Sequence, residues 1–157
     1  MRIGIMSDSH DNIPAIEAAV KVFNDMELDF VIHLGDIVAP FCFDVLDKLK
    51  MDFIGVFGNN DGEWLYLVEK ARHRLYKPPH EIELDGKSFI LMHEPFGVEK
   101  LAKEYDYVLY GHLHVIDIRK TDRGYIISPG ELCGYLTGKK TVAILDTKAN
   151  RAQLIEL

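Results

Sequence analysis

Seven residues of this chain could bind or activate a charged reactant: Asp8, His10, Asp36, Asn59, His93, His112 and His114. Their donors are carboxylate, amide and imidazole with no thiolate, a mix that suits hard to borderline divalent cations. Asp8 and His10 are separated by one residue, and His112 and His114 repeat that spacing. On an extended segment, positions i and i+2 face the same side, so each pair could reach one ion. Taken singly, each residue has an ordinary explanation. Asp8, Gly35-Asp36 and Gly58-Asn59-Asn60-Asp61-Gly62 are good turn formers, and His93 could bond a backbone carbonyl at a strand end. His33, two residues before Gly35, reads as a core-adjacent or supporting histidine. Taken together, four His and three Asp or Asn at the ends of apolar runs exceed what turn chemistry would supply. The set predicts a metal site, one with donors enough for two ions.

The elements that must position these residues follow from the same runs. Ile3-Gly4-Ile5-Met6, Phe30-Val31-Ile32, Phe53-Ile54-Gly55-Val56, Phe89-Ile90-Leu91-Met92 and Tyr107-Val108-Leu109-Tyr110 are short, apolar and bounded by Gly, Asn or Asp, which reads as buried strands. Five strands ending in donors would set those donors along one edge of a sheet, where open α/β sheets place their sites. Between the runs the period turns helical. Ile16, Ala19, Val20 and Phe23 share a face over Asn12–Met26, with Pro14 in the first turn. A second helix is expected after Pro40, with Phe43, Leu46 and Leu49 on one face and Lys48 and Lys50 near its end. A third is expected over Glu63–Arg72 and a short fourth over Val98–Lys103. Asp85-Gly86 signals a hairpin between Glu81–Leu84 and Ser88–Met92. Further strands are expected around Ile116–Arg119, Tyr125–Ile127, Val142–Leu145 and Gln153–Leu157. The order predicts a parallel half continued by an antiparallel half, in one domain spanning residues 1–157.

Composition narrows the function classes. The chain has 157 residues, 48% apolar and 27% charged, ordinary values for a globular protein. It has no apolar run long enough to span a membrane, and the first apolar run meets Asp8 too early for a signal core. The cytoplasm is the expected compartment. Cys42 and Cys133 stand far apart and read as reduced, packed thiols. A formal charge of −7 argues against nucleic acid as a partner. It is compatible with a small phosphorylated substrate if metal ions make the site positive. Trp64, Tyr66 and Leu67 leave room for a homo-oligomer surface, although packing on the core is the simpler use of Trp64 and Leu67.

Asp8-Ser9-His10, Gly35-Asp36, Gly58-Asn59-Asn60-Asp61, His93 and Gly111-His112-Leu113-His114, in that order, resemble the signature of the calcineurin-like metallophosphoesterases. The resemblance covers nearly the whole chain and is nearest to the small single-domain phosphodiesterases of bacteria and archaea. It implies an α/β (α+β) fold, a four-layer αββα sandwich of two mixed sheets flanked by helices. It implies two divalent ions, manganese first, with nickel, iron or zinc as alternatives. Asp8, His10 and His114 would hold one ion and Asn59, His93 and His112 the other, bridged by Asp36 and a water or hydroxide. The implied activity is hydrolysis of a small phosphodiester, with Asp36, Asn59 and His93 at the catalytic centre. The contrasting expectation is a non-catalytic scaffold on the same fold, which would be free to lose the ligands that are all present here.

Three positions depart from that pattern. Asn60 stands where many relatives have the His that protonates the leaving group, and an amide cannot do so. Weak turnover of esters with poor leaving groups is therefore expected. Glu94-Pro95 replaces the Gly-His that commonly follows His93, and Glu94 reads as a solvated loop residue. In Ser128-Pro129-Gly130-Glu131, Glu131 replaces the Ser that often ends the related Asn-Pro-Gly-Ser turn.

Overall fold

The computed structural model describes residues 1–157. The first part of the chain forms β1 (Arg2–Met6), α1 (Ile13–Asp25), β2 (Phe30–His33), a 3-10 turn (Pro40–Cys42), α2 (Phe43–Leu46), β3 (Asp52–Val56), α3 (Trp64–Lys70) and β4 (Leu75–Tyr76). The second forms β5 (His80–Leu84), β6 (Lys87–Leu91), α4 (Val98–Leu101), β7 (Tyr107–Leu109), β8 (Ile116–Lys120), β9 (Tyr125–Pro129), β10 (Thr141–Asp146) and β11 (Arg151–Glu156). These build two mixed sheets, one ordered β11-β10-β1-β2-β3-β4 and the other β5-β6-β7-β9-β8.

Period-two alternation decides what lies on each face. On β1 and β2, Ile3, Ile5 and Ile32 point to the core between the sheets, while Val31 points to the helical side. On β10, Ala143 and Leu145 face the inter-sheet core, and Val142 and Ile144 face the helices. On the second sheet, Phe89, Leu91, Tyr107, Leu109 and Ile127 meet the first sheet, and Ile90, Val108 and Ile126 turn outward. Both sheets therefore carry apolar side chains on both faces, and both need a cover. α1 covers the first with the buried face Ala15, Ile16, Ala19, Val20 and Phe23. Full burial of a side chain such as Phe23 contributes about 1.5–3 kcal/mol. The second is covered by the single turn of α4, through Val98 and Leu101. The fold is the αββα sandwich, with two unequal helical layers. No helix is long and apolar enough to cross a membrane.

Local signals acted as their chemistry dictates. Asn12 caps α1, accepting the Ala15 N–H at 3.2 Å. Asp85 and Gly86 both have positive φ, and Leu84 pairs with Lys87, so the hairpin loop has two residues. The second helix is shorter than its periodicity predicts. It ends at Leu46, after which the Lys48 and Leu49 N–H groups bond carbonyls three residues back, and the Asn24 side chain of α1 takes the Lys48 carbonyl and the Lys50 N–H, both at 2.9 Å. Those backbone groups are then lost to a helical ladder. α3 buries Leu67, but Trp64 stays 45% exposed rather than packing into the core.

The expectation of a parallel half followed by an antiparallel half is corrected. β6, β7 and β9 are mutually parallel, and β10 returns to pair antiparallel with β1. Nor do the donor-bearing strands share a sheet. β1, β2 and β3 belong to the first sheet, β6 and β7 to the second. Their C-terminal ends meet where the two sheets face each other.

Candidate metal centre

The loops after β1 and β2 hold each other. The N–H of Asp8 bonds the Gly35 carbonyl and that of His10 bonds the Asp36 carbonyl, both at 3.0 Å. Asp8, His10, Asp36, His112 and His114 all have φ between 39° and 67°. The one-residue spacing thus brings Asp8 with His10, and His112 with His114, to one site through left-handed turns and not through extended backbone. Each such residue costs about 1–2 kcal/mol, which the cross-loop hydrogen bonds must offset. Two glycines let the loops approach this closely. A Cβ on Gly58 would lie 2.1 Å from Asp36 Oδ1, and one on Gly111 would lie 2.0 Å from Ser7 Oγ and 2.9 Å from Asp8 Oδ2.

The donors converge in two overlapping groups. Asp8, His10 and His114 lie mutually within 4.8 Å, as do Asp8, Asp36 and His93. Asp36 Oδ2 sits between them, 3.5 Å from His10 Nε2 and 3.4 Å from His93 Nε2. Asn59 Oδ1 is 2.9 Å from His93 Nε2. The His112 ring lies edge-on to His93, with centroids 5.1 Å apart, and its backbone N–H donates to Asp8 Oδ2 at 3.1 Å. His112 is the predicted ligand that joins neither close group.

Hydrogen bonds set which imidazole nitrogen faces the site. His93 Nδ1–H donates to the Leu34 carbonyl at 2.8 Å, leaving Nε2 turned toward Asn59 and Asp36. His114 Nδ1–H donates to Glu131 Oε2 at 2.7 Å, leaving Nε2 turned toward Asp8 Oδ1, 3.5 Å away. Meanwhile Asp8 Oδ1 and His10 Nε2 are buried with no hydrogen-bond partner. Lone pairs aimed at one another in a buried space repel unless a cation lies between them. This donor set fits divalent metal, and the outer partners are those that orient metal-ligating imidazoles. In the protein alone, a proton answers the same demand. Burial by itself would lower the His93 pKa, but the Asp36 carboxylate outweighs burial and raises it. Burial would likewise raise Asp36, yet hydrogen bonds from His93 and Asn60 hold it well below the usual carboxylate range.

Four further residues support the ligands. Asp61 is buried and accepts the N–H groups of Asp36, Val38 and Gly58 at 3.1, 2.6 and 2.7 Å, fixing the loops after β2 and β3 together. Asn60 donates its backbone N–H to Asp36 Oδ1 at 2.8 Å and its amide to Oδ2 at 2.7 Å. Its place in the site is thus to hold Asp36. Glu131 accepts from His114, Leu136 N–H, both the N–H and hydroxyl of Thr137, and the Cys133 thiol. Its burial works to raise its pKa, but those bonds win and bring it to about 2. His114, Glu131 and Cys133 also lie close enough to suggest another metal site. Glu131 is already saturated with donors, and burial pushes the Cys133 thiol up to about 12, so this group is a hydrogen-bond hub. The sequence signal for Glu131 was its departure from the usual turn motif.

The fourth is His33, fully buried and neutral. Its Nδ1 accepts the Gly35 N–H at 3.2 Å, so Nε2–H donates to Ser9 Oγ at 3.0 Å. Burial lowers its pKa from 6.5 to about 3, with a smaller push from His93. A folded value below the unfolded one means that the unfolded chain binds the extra proton between pH 6.5 and 3. Stability should therefore fall as pH drops through that window, at up to about 1.4 kcal/mol per pH unit from this residue. In urea titrations of metal-free protein, His33→Gln should flatten the profile by that slope. An unchanged slope would rule out His33 as its source.

Comparison with known proteins agrees with this geometry. Residues 1–150 match the model of the calcineurin-like phosphoesterase superfamily domain. A phosphodiesterase of Methanocaldococcus jannaschii is 38% identical over 165 aligned positions, covering 100% of this chain and 99% of the relative. A solved archaeal phosphodiesterase superposes with a TM-score of 0.91 at 38% identity, covering all of both chains. The E. coli phosphoesterase Yfce superposes at 0.68 and 19% identity, covering 94% of this chain and 89% of that one, a likeness of fold alone. With the donor loops, their order and the two-sheet frame all in place, the chain belongs to the calcineurin-like phosphoesterase superfamily.

Proposed function

We propose that this chain is a phosphodiesterase dependent on two divalent metal ions and acting on a small phosphodiester. The observation that carries the reading is the placement of Asp36 Oδ2 between two donor groups that include partnerless buried atoms on Asp8 and His10. The phosphodiesterase activity of the 38% identical relative supports the same reaction. Asp8, His10 and His114 would hold one ion, and Asn59, His93 and His112 the other, with Asp36 shared. Manganese is the proposed ion, and the same donors suit nickel, iron and zinc. Such ions supply Lewis acidity, a water acidic enough to attack at neutral pH and positive charge facing the phosphoryl oxygens.

The residues of the chain do the rest. Leu34 and Glu131 fix the tautomers of His93 and His114 so that Nε2 of each faces inward. Asp36 would supply negative charge to both ions and so offset their mutual repulsion. Asn59 contributes a neutral oxygen, which keeps the loaded site positive toward an anionic diester. Asn60 is committed to Asp36 and has no proton to give a departing alkoxide. Esters that leave as stable anions are therefore the better substrates. The test is metal-stripped protein re-supplied with Mn²⁺, Ni²⁺, Zn²⁺ or Mg²⁺ and given p-nitrophenyl diesters, p-nitrophenyl monoester and a dialkyl phosphate. Activated diesters should turn over best and the dialkyl ester least. Confirmed loading without hydrolysis of any ester would overturn the reading.

A further inference from the structure

Asn59 and His93 also line a cavity of about 290 Å³ beside the metal centre. Small-molecule sites run from roughly 300 to 1,000 Å³, so this one suits a single small ring system. Its walls include Phe57, Trp64, Met92, Phe96 and the Pro78-Pro79 pair. Phe57 and Trp64 are stacked, with ring centroids 4.6 Å apart and planes 13° from parallel. Trp64 Nε1–H donates to the Asp61 carbonyl, so the residue that fixes the Asp36 loop also fixes this indole. Trp64 remains 45% exposed and Phe96, three residues after His93, 56% exposed. Two aromatic side chains are thus held partly open to solvent next to the donors. Lys77 and Glu94, both exposed, bring one charge of each sign, which leaves the cavity with no net preference for an ion. Glu94 is solvated, as its sequence predicted, and it also borders this cavity.

We propose that the cavity receives a planar aromatic ester group of the substrate, stacked against Trp64 and Phe96 while the phosphoryl group faces Asp36. This assignment of the cavity rests on the phosphodiesterase reading and adds the substrate class. The shared Asn59 and His93 make the cavity continuous with the reacting centre, and its aromatic walls offer stacking without base-edge or ionic readout. An aryl ring and a nucleobase meet that chemistry equally.

Trp64 is the chain's one tryptophan, so its emission reports on this cavity directly. The experiment measures binding of methyl phosphate, phenyl phosphate and thymidine 5′-phosphate to Mn²⁺-loaded protein, by calorimetry and by Trp64 fluorescence. The aromatic monoesters should bind about tenfold more tightly than methyl phosphate and quench the indole, as stacking on a protein aromatic ring does. Phe96→Ala and Trp64→Ala should each remove most of that advantage, leaving methyl phosphate unchanged. A gain for phenyl phosphate alone would identify an aryl group, and a gain for both a nucleobase-sized one. Equal affinity for all three ligands, or an advantage that survives in both variants, would overturn the proposal. Because binding is read without turnover, an inactive protein that keeps the aromatic preference would count against the phosphodiesterase reading alone. An active one without the preference would count against the cavity alone.

Discussion

Asp36→Asn is expected to lower kcat on an activated phosphodiester by at least about 10³-fold, some 4 kcal/mol on the barrier. The substitution is nearly isosteric, so the loss is one of charge. Asp36 Oδ2 is the atom placed within 3.5 Å of both His10 and His93, and its carboxylate is held ionised by Asn60 and His93. A neutral amide there cannot offset the repulsion between two adjacent cations. Metal content, measured by plasma emission after dialysis, should fall from two ions to one or fewer per chain. Because the substitution is nearly isosteric, the variant should still fold, and near-native circular dichroism would separate site loss from unfolding. Two ions retained with wild-type turnover would remove Asp36 from the shared position.

Glu131 carries the second large effect, and through a different route. Glu131→Gln keeps the shape but loses the charge that His114 Nδ1–H points to, and outer partners of this kind change metal affinity by about 10–100-fold. Calorimetric titration with Mn²⁺ should show that loss at the site proposed for Asp8, His10 and His114. Glu131→Ala should do more. It strands His114 Nδ1–H, at about 1–3 kcal/mol for a buried donor left unpaired, and releases the Leu136 and Thr137 groups, which lie on exposed residues, to water. A fall in Tm of several degrees should follow, since each kcal/mol moves a domain of this size by about 2–4 °C. Wild-type affinity at both sites in Glu131→Gln would show that Glu131 only shapes its loop.

Some of this was legible in one dimension because it depends on local periodicity. The strand runs, the apolar face of α1 and the Asp85-Gly86 hairpin loop follow from side-chain periodicity and turn chemistry within a few residues. Periodicity carries α2 past Leu46, where Asn24, distant in sequence, takes the Lys48 and Lys50 backbone groups that the pattern gives to a helix. β4 was missed because two residues carry no periodic signal, and it exists through pairing with β3. Glu131 and Asp61 escape local pattern because they act on partners 17 and 25 residues away, whereas His33 reads as a supporting histidine and its bonds to Ser9 and Gly35 give it that place.

The donor chemistry is written in the linear order of residues. Seven oxygen and nitrogen donors stand at the ends of five apolar runs, in an order that resembles one family. How the donors meet depends on the folded arrangement of the two sheets. The donors do not lie along one sheet edge: three strand ends come from one sheet and two from the other. Asp36 lies between donors from both sheets, and left-handed turns deliver the paired residues. The physical reason is that alternation specifies which face of a strand is buried but not which sheet buries it. That choice is made by strand pairing and by packing of the two apolar inner faces, long-range interactions that no local pattern encodes.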